Sequence, residues 1–396
     1  MRESPLEHDN ERENSNRLAE ATSGTPPRRG RWFGPLIKLV LAAAIVLFLA
    51  RQVDADSLRE WIRRPKRWDL LALAFVWVLA AHLITYIRWW QLLRSLKIAM
   101  PLTEAIRVGF LGTAFNLVSV GGIGGDVFKA IAAARHTGRQ KLPEVIASIL
   151  LDRTFGLVGL ILVAAVGLEA YVRTAEAGAA IPAELQQVRW VSTAVAAASV
   201  VGLAVLVAVA KWLPVDWLSR LPLVGSFARQ MAASLRLLHG RLGLLTLQIA
   251  ESCGVHLTLT IGFYLTSRGV YPPSPGLLPH LVAIPPAFAV AALPIFPGGV
   301  GVFESAVVQL MKVAADVGED YLTVLVVVLV IYRLMMSGVA AIGGFYYLAG
   351  AGRLREEDRR LAAQLHSPAD AGEHRIHPRR AAAAHRGSTS GGQRSA

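Results

Sequence analysis

Apolar stretches long enough to cross a bilayer as helices recur along this chain, at about 33–50, 69–90, 145–168, 190–212, 243–266 and 322–349. A helix needs about 20 such residues to span hydrocarbon, and it is the fold that satisfies its own backbone hydrogen bonds there. The pattern predicts an all-α polytopic membrane protein with about six full spans. Composition agrees, with 54% hydrophobic and 17% charged residues among 396. The formal charge of +13 would suit nucleic acid, but the basic residues fall mostly in loops and tails, where they orient spans and meet anionic headgroups. No basic-aromatic module is visible, which argues against a nucleic-acid partner. The single cysteine, Cys253, excludes an intrachain disulfide framework and reads as a small packing residue.

The chain divides into a polar arm (1–31), a transmembrane domain (32–350) and a charged, then Ala-, Ser- and Gly-rich tail (351–396). Arm and tail have the composition of unfolded segments. Phe33–Ala50 follows a long polar leader and lacks a small-residue cleavage site, so it reads as a retained first helix rather than a signal peptide. Between Asp54 and Arg67, Leu58, Trp61 and Ile62 alternate with Arg59, Arg63, Arg64 and Lys66 in the pattern of a short interfacial helix.

Two runs interrupt the apolar sequence in the same way. Val120-Gly121-Gly122-Ile123-Gly124-Gly125-Asp126 and Pro297-Gly298-Gly299-Val300-Gly301-Val302-Phe303-Glu304 each follow an apolar segment of modest length and end in a carboxylate. Exposed backbone at membrane depth survives only where protein or a wet cavity supplies partners. The two regions, about 104–136 and 281–313, therefore read as re-entrant helical hairpins. Entry and exit on one side leave both termini cytoplasmic. Loops 88–107 (Arg88, Arg94, Lys97, Arg107), 129–141 (Lys129, Arg135, Arg139, Lys141) and 211–241 then fall inside, while Glu169, Glu176 and Glu184 fall outside, as the positive-inside rule asks. The basic stretch 59–67 is the exception. Each glycine break is followed at a similar distance by an arginine within a span, Arg153 and Arg333. Three full spans separate the hairpins, and an odd number reverses direction, so the copies would be an inverted repeat, a transporter signature.

Chemistry should concentrate at the charges hydrocarbon would expel, which are Asp152, Arg153, Glu251 and Arg333. Asp152 and Arg153 point about 100° apart on a helix and are poor partners for each other. One reading pairs Arg153 or Arg333 with Asp126 or Glu304 as structural locks on the hairpins. In the other, the arginines bind a phosphate, whose oxygens a planar guanidinium meets two at a time. Gly121, Gly122, Gly124, Gly125, Gly298, Gly299 and Gly301 would help, since N–H groups at the helix starts favour anions. Against this, Asp126 and Glu304 sit at those starts and are equally suited to cap them. His82 and His256 lie in separate spans and read as helix-to-helix hydrogen-bond donors. Arg88-Trp89-Trp90 reads as an interfacial anchor. No cofactor loop, metal-ligand cluster or nucleophile elbow is visible, so neither an enzyme nor a cofactor is expected.

The segments Phe115–Lys129, Asp152-Arg153, Leu293–Glu304 and Tyr332-Arg333 resemble the lysylphosphatidylglycerol synthase transmembrane-region family of flippase-like membrane proteins, over about residues 34–350. The resemblance implies lipid handling: family members include flippases of an aminoacylated phospholipid, and others are linked to polyprenyl-phosphate sugars or hopanoids. The chain leaves no room for the soluble aminoacyltransferase domain of the bifunctional synthases, so the translocating half alone is expected. It also carries Ser119-Val120 where many members have a proline before the glycines.

The expectation is a lipid translocator of the inner membrane, with a phosphate-bearing headgroup bound between the hairpin tips by Arg153 and Arg333. Asp126, Asp152, Glu304, Tyr332 and Glu251 would serve structure or coupling. The alternative is a membrane-embedded transferase or an accessory subunit of a lipid, hopanoid or polyprenyl-glycan pathway. Its turnover should depend on a base such as His256 or Glu251. A third reading is a non-transporting scaffold. Small-residue runs such as Ala132-Ala133-Ala134 and Ala196-Ala197-Ala198 allow close helix packing within a chain, in a homo-oligomer or with lipid-pathway enzymes.

Overall fold

A computed structural model describes residues 63, 65–118, 124–175, 183–209, 234–236, 238–292, 301–315 and 319–365. Among them the chain is helical, without strands. In order come α1 (Trp68–Ser95), α2 (Leu102–Val118), α3 (Gly124–Thr137), a 3-10 turn (Arg139–Lys141), α4 (Leu142–Ala175), α5 (Ala183–Val209), α6 (Leu242–Val270), α7 (Leu277–Ala291), α8 (Val302–Ala314) and α9 (Glu319–Leu365). Five of these, α1, α4, α5, α6 and α9, contain segments long and apolar enough to cross a membrane. They match five of the six stretches expected; the sixth, 33–50, lies outside the described residues, as do the arm 1–31 and most of the interfacial segment 54–67.

The helices run longer than the apolar stretches that announce them. α1 continues through Arg88 to Ser95, so Arg88 belongs to a span and not to the loop the sequence predicts. Glu169, expected in an outside loop, lies inside α4, where it accepts from Arg173 one turn on at 2.7 Å and from Arg189 of α5 at 2.6 Å. Such pairs four apart support a helix beyond its apolar part. Lys129, also expected in a loop, is a buried residue of α3. The chain divides at Tyr346 into two compact units. In the second, helix extends to Leu365, where a structureless tail was expected from 351. Residues 353–363 are mostly Arg, Glu, Leu and Ala, which favour helix, and 366–396 lie outside the described residues.

Four helices are too short to cross. At 1.5 Å per residue, α2, α3, α7 and α8 reach roughly 20–26 Å, against about 30 Å of hydrocarbon. They pack as two pairs, α2 on α3 and α7 on α8. Each pair carries an aromatic contact near its tip: Phe115 stacks on Phe128 with ring centres 4.2 Å apart, and Phe288 meets Phe303 at 4.5 Å. The open end of the first pair (Ala105, Ala133) shares one apolar cluster with Leu92 and Leu93 of α1, Val145 and Ile149 at the start of α4, Val207 of α5 and Leu245 of α6. Val282 of α7 and Ala314 of α8 pack instead with Leu168 and Val172, at the other end of α4.

Small residues let these helices approach. Gly262 and Gly269 of α6 lie against Val78 and Leu71 of α1, and Gly159 of α4 abuts Ser252 of α6, the close packing that van der Waals contact requires in lipid. Pro285 has no N–H for the Leu281 carbonyl of α7, and Gly167 of α4 packs against that same carbonyl. By contrast α5 leaves Trp190, Val191, Val201 and Val205 exposed, an apolar surface suited to lipid rather than water.

Candidate functional site

Each short pair is tied by its carboxylate to the long helix that follows it. On the first, Arg153 of α4 donates through Nε to Asp126 Oδ2 of α3 at 2.8 Å. On the second, Arg333 of α9 donates through Nε to Glu304 Oε1 of α8 at 2.5 Å. The expected neighbours Asp152 and Arg153 therefore part company along the helix. In both pairs the acid is the more enclosed member: side-chain exposure is 18% for Asp126 against 57% for Arg153, and 5% for Glu304 against 37% for Arg333. The carboxylates hold the hairpins, and the guanidiniums keep part of their surface open.

Glu304 also caps. Its Oε2 accepts the Gly301 N–H at 2.6 Å, so one carboxylate serves both the start of α8 and Arg333. Gly301 has φ +86°, where an L side chain is strained. The first glycine break has a different local reason. A Cβ on Gly125 would run into the Gly112 carbonyl oxygen and come within 2.6 Å of Asn116 Oδ1, which itself accepts the Gly125 N–H at 2.8 Å. Gly125→Ala should lower stability by about 1–3 kcal/mol through overpacking; thermal unfolding of the purified protein in detergent checks it. Gly124 begins α3. Gly121, Gly122, Gly298 and Gly299 lie outside the described residues.

A second polar centre, which sequence reasoning largely missed, joins α1, α4 and α6. Arg88 donates through Nε to Asp152 Oδ1 at 2.9 Å, through a terminal nitrogen to the Asp152 carbonyl at 3.2 Å, and through the other to Ser252 Oγ. Side-chain exposures of 5% and 9% make this a buried ion pair. It corrects the reading of Arg88 as an interfacial anchor. The available signal was that Arg88 lies one helical turn before polar Gln91, inside a run that had not lost its apolar periodicity. Gln248 bridges the Arg88 carbonyl at 3.4 Å and Gln91 Oε1 at 2.9 Å, and Gln91 donates to Glu251 Oε1 at 2.7 Å. Lys129 adds a further cation, 5.3 Å from the Trp89 ring centre and 5.9 Å from that of Tyr86, within the range of cation–π attraction.

Tyr332 is buried and donates to the Leu259 carbonyl of α6 at 3.2 Å. His256 donates through Nε2 to the Gly156 carbonyl of α4 at 3.1 Å, while His82 bonds within its own helix to Val78. Cys253 is a free thiol. Two cavities stand out. One of about 250 Å³ lies where α4, α6, α7, α8 and α9 converge, and Arg333 and His256 are its polar wall. The other, about 910 Å³, is an apolar groove between α4 and α5 with Glu169, Arg173 and Arg189 along it.

The fold and these intramembrane charges define a multi-pass helical membrane protein. The family model of the lysylphosphatidylglycerol synthase TM region matches residues 36–343, most of the 396-residue chain. The chain belongs to this family, which connects it to lipid-related function. No curated protein matches it.

Proposed function

We propose that this protein is a lipid translocator that carries a phosphate-bearing lipid across the inner membrane, with Arg153 and Arg333 receiving the headgroup. The observation that carries the reading is the repeated ion pair. Arg153 engages Asp126 through Nε and a terminal nitrogen, Arg333 engages Glu304 through Nε, and both side chains remain partly open, so a phosphate can add to each, or replace the carboxylate, through charge-assisted bonds of equal type. Exchange of partner would free one hairpin from its long helix, a local event able to bias a two-state packing.

Support for an inverted repeat comes from three features. The units α2–α3–α4 and α7–α8–α9 follow the same order, short pair then long helix. Both carry the tip aromatic contact and the acid–arginine tie. Their open ends pack at opposite ends of α4. Short pairs with both ends at one face suit re-entrant hairpins, and alternating access follows if the tips take turns at the headgroup. Arg94, Lys97, Arg107, Arg135, Arg139 and Lys141 cluster in sequence around the first open end, which supports that face as cytoplasmic. The α4–α5 groove offers an apolar path for acyl chains. In this reading the chain is no enzyme and needs no cofactor; its partners are membrane lipids.

The test is native mass spectrometry with lipidomics on the gently purified protein, followed by transport in liposomes. Arg153→Ala/Arg333→Ala should lose a phosphate-bearing lipid that the wild type retains. Transport of that lipid should fall by about 100-fold or more, as two bonds to charged groups of roughly 1.5–3 kcal/mol each imply. Unchanged lipid retention and transport in a folded double variant would reduce the arginines to structural locks and favour the accessory-subunit reading.

A further inference from the structure

The groove between α4 and α5 is apolar along its length and charged at one end. Leu162 and Val166 of α4 and Ala197 and Val201 of α5 wall the apolar part. The lining runs over residues 162–173 of one helix and 189–201 of the other, about 16–18 Å at 1.5 Å per residue. That is close to the depth of one leaflet, half of about 30 Å of hydrocarbon. Glu169, Arg173 and Arg189 form the charged end. Arg189 is 18% exposed and holds Glu169 with two nitrogens, Nε to Oε2 at 2.6 Å and a terminal nitrogen to Oε1 at 3.0 Å. Arg173 is 73% exposed, and among the described residues it bonds through Nε alone, to Glu169 Oε1 at 2.7 Å. Trp190 is exposed on the same lining, its ring centre 5.7 Å from the Arg189 guanidinium. An exposed tryptophan beside arginine on a span marks the level where hydrocarbon meets headgroups.

We propose that this groove binds one glycerophospholipid from the leaflet at the C-terminal end of α4, with an acyl chain along the groove and the phosphate on Arg173. The site goes beyond the translocator reading and does not rest on it, since Arg153 and Arg333 take no part in the groove. A guanidinium has five N–H donors and no acceptor. With Nε spent on Glu169, the terminal nitrogens of Arg173 can meet phosphate oxygens two at a time. Arg189 fixes the carboxylate from the facing helix, and the carboxylate in turn holds Arg173 at the mouth of the groove. The volume of about 910 Å³ is that of a small-molecule site. A second copy of the chain would cover the same apolar surface only by burying the Arg173 cation, which is costly without a new partner. A phospholipid fills the apolar part and pairs the cation at once.

The experiment is native mass spectrometry of the full chain in detergent. The probes are dioleoyl phosphatidylglycerol and dioleoylglycerol, which has the same chains and no phosphate. The chain carries Arg153→Ala/Arg333→Ala, so that the hairpin arginines contribute nothing, and the same contrasts are repeated without those changes in case the double variant folds poorly. One phosphatidylglycerol should stay bound in the double variant, about tenfold or more tighter than dioleoylglycerol, as one bond to a charged group implies. Arg173→Gln should bring the two probes within about threefold of each other, and Arg173→Lys, which keeps the charge, should preserve most of the preference. Ala197→Trp fills the groove from an exposed position and should release both probes. A preference that survives Arg173→Gln, or a phospholipid retained by Ala197→Trp, would overturn the proposal. A dimer that Ala197→Trp dissociates, with no lipid bound beforehand, would also overturn it and make a second copy the occupant. If Arg153→Ala/Arg333→Ala by itself strips every phospholipid, the groove holds none and the translocator reading keeps its support. If those two changes leave lipid retention and transport intact while Arg173→Gln removes the phospholipid, the groove site stands and the translocator reading fails.

Discussion

Asp152→Ala is expected to destabilise the protein by about 3–5 kcal/mol, the cost of leaving a buried cation without its acid. Arg88 is 4% exposed, and its guanidinium is wrapped by Asp152, Ser252 and the adjoining face of Gly156. No part of it can turn to water without displacing α4 from α1. A double replacement, Arg88→Met/Asp152→Leu, should recover most of the loss, since buried ion pairs exchanged for apolar residues are often neutral. Ser252 would not be orphaned, because its hydroxyl also donates to the Gln248 carbonyl at 2.6 Å. Thermal unfolding in detergent measures both. A single variant as stable as wild type would mean that Arg88 has another acceptor, and the pair would not be the clamp between α1 and α4.

Glu304→Ala should be the next most damaging change, at about 2–4 kcal/mol. It removes the acceptor for the Gly301 N–H, a cap of roughly 1 kcal/mol, and leaves Arg333 without its carboxylate, roughly 1–3 kcal/mol more. Glu304→Gln separates the two roles: its amide oxygen can still accept from Gly301, and its NH2 group, a donor, then takes the place of the carboxylate oxygen that met Arg333. The Gln variant should therefore recover the capping share, about 1 kcal/mol and at most half of the loss, while shifting lipid retention. If Gln were as unstable as Ala, charge pairing with Arg333 would dominate and capping would contribute little. Anion binding to Arg333 should strengthen in Glu304→Gln, because the phosphate no longer competes with a carboxylate.

Much of the fold was legible because lipid imposes a simple code. Apolar length named α1, α4, α5, α6 and α9, and shortness next to glycine breaks named the pairs α2–α3 and α7–α8. The code weakens at span ends. Arg88, Lys129 and Glu169 were assigned to loops because a charge normally marks the exit from hydrocarbon. In this fold each is retained within a helix by a partner distant in sequence: Asp152 for Arg88, the Trp89 and Tyr86 rings for Lys129, and Arg189 for Glu169. The intramembrane arginines and the carboxylates after each glycine break were likewise visible as residues. Which arginine meets which acid was not, since spacing along one helix says nothing about rotation against another.

The sequence by itself determined that the chain lives in a membrane, roughly where it crosses, and which charges needed an explanation, because burying polar atoms in hydrocarbon is costly everywhere along the chain. Only the tertiary structure decided how those charges are shared. It divides the acids Asp126, Asp152 and Glu304 among Arg153, Arg88 and Arg333, and it sets His256 beside Arg333 at one cavity. Ion pairing acts over a few ångströms with no dependence on sequence distance, so it is settled by the packing of helices and not by their order.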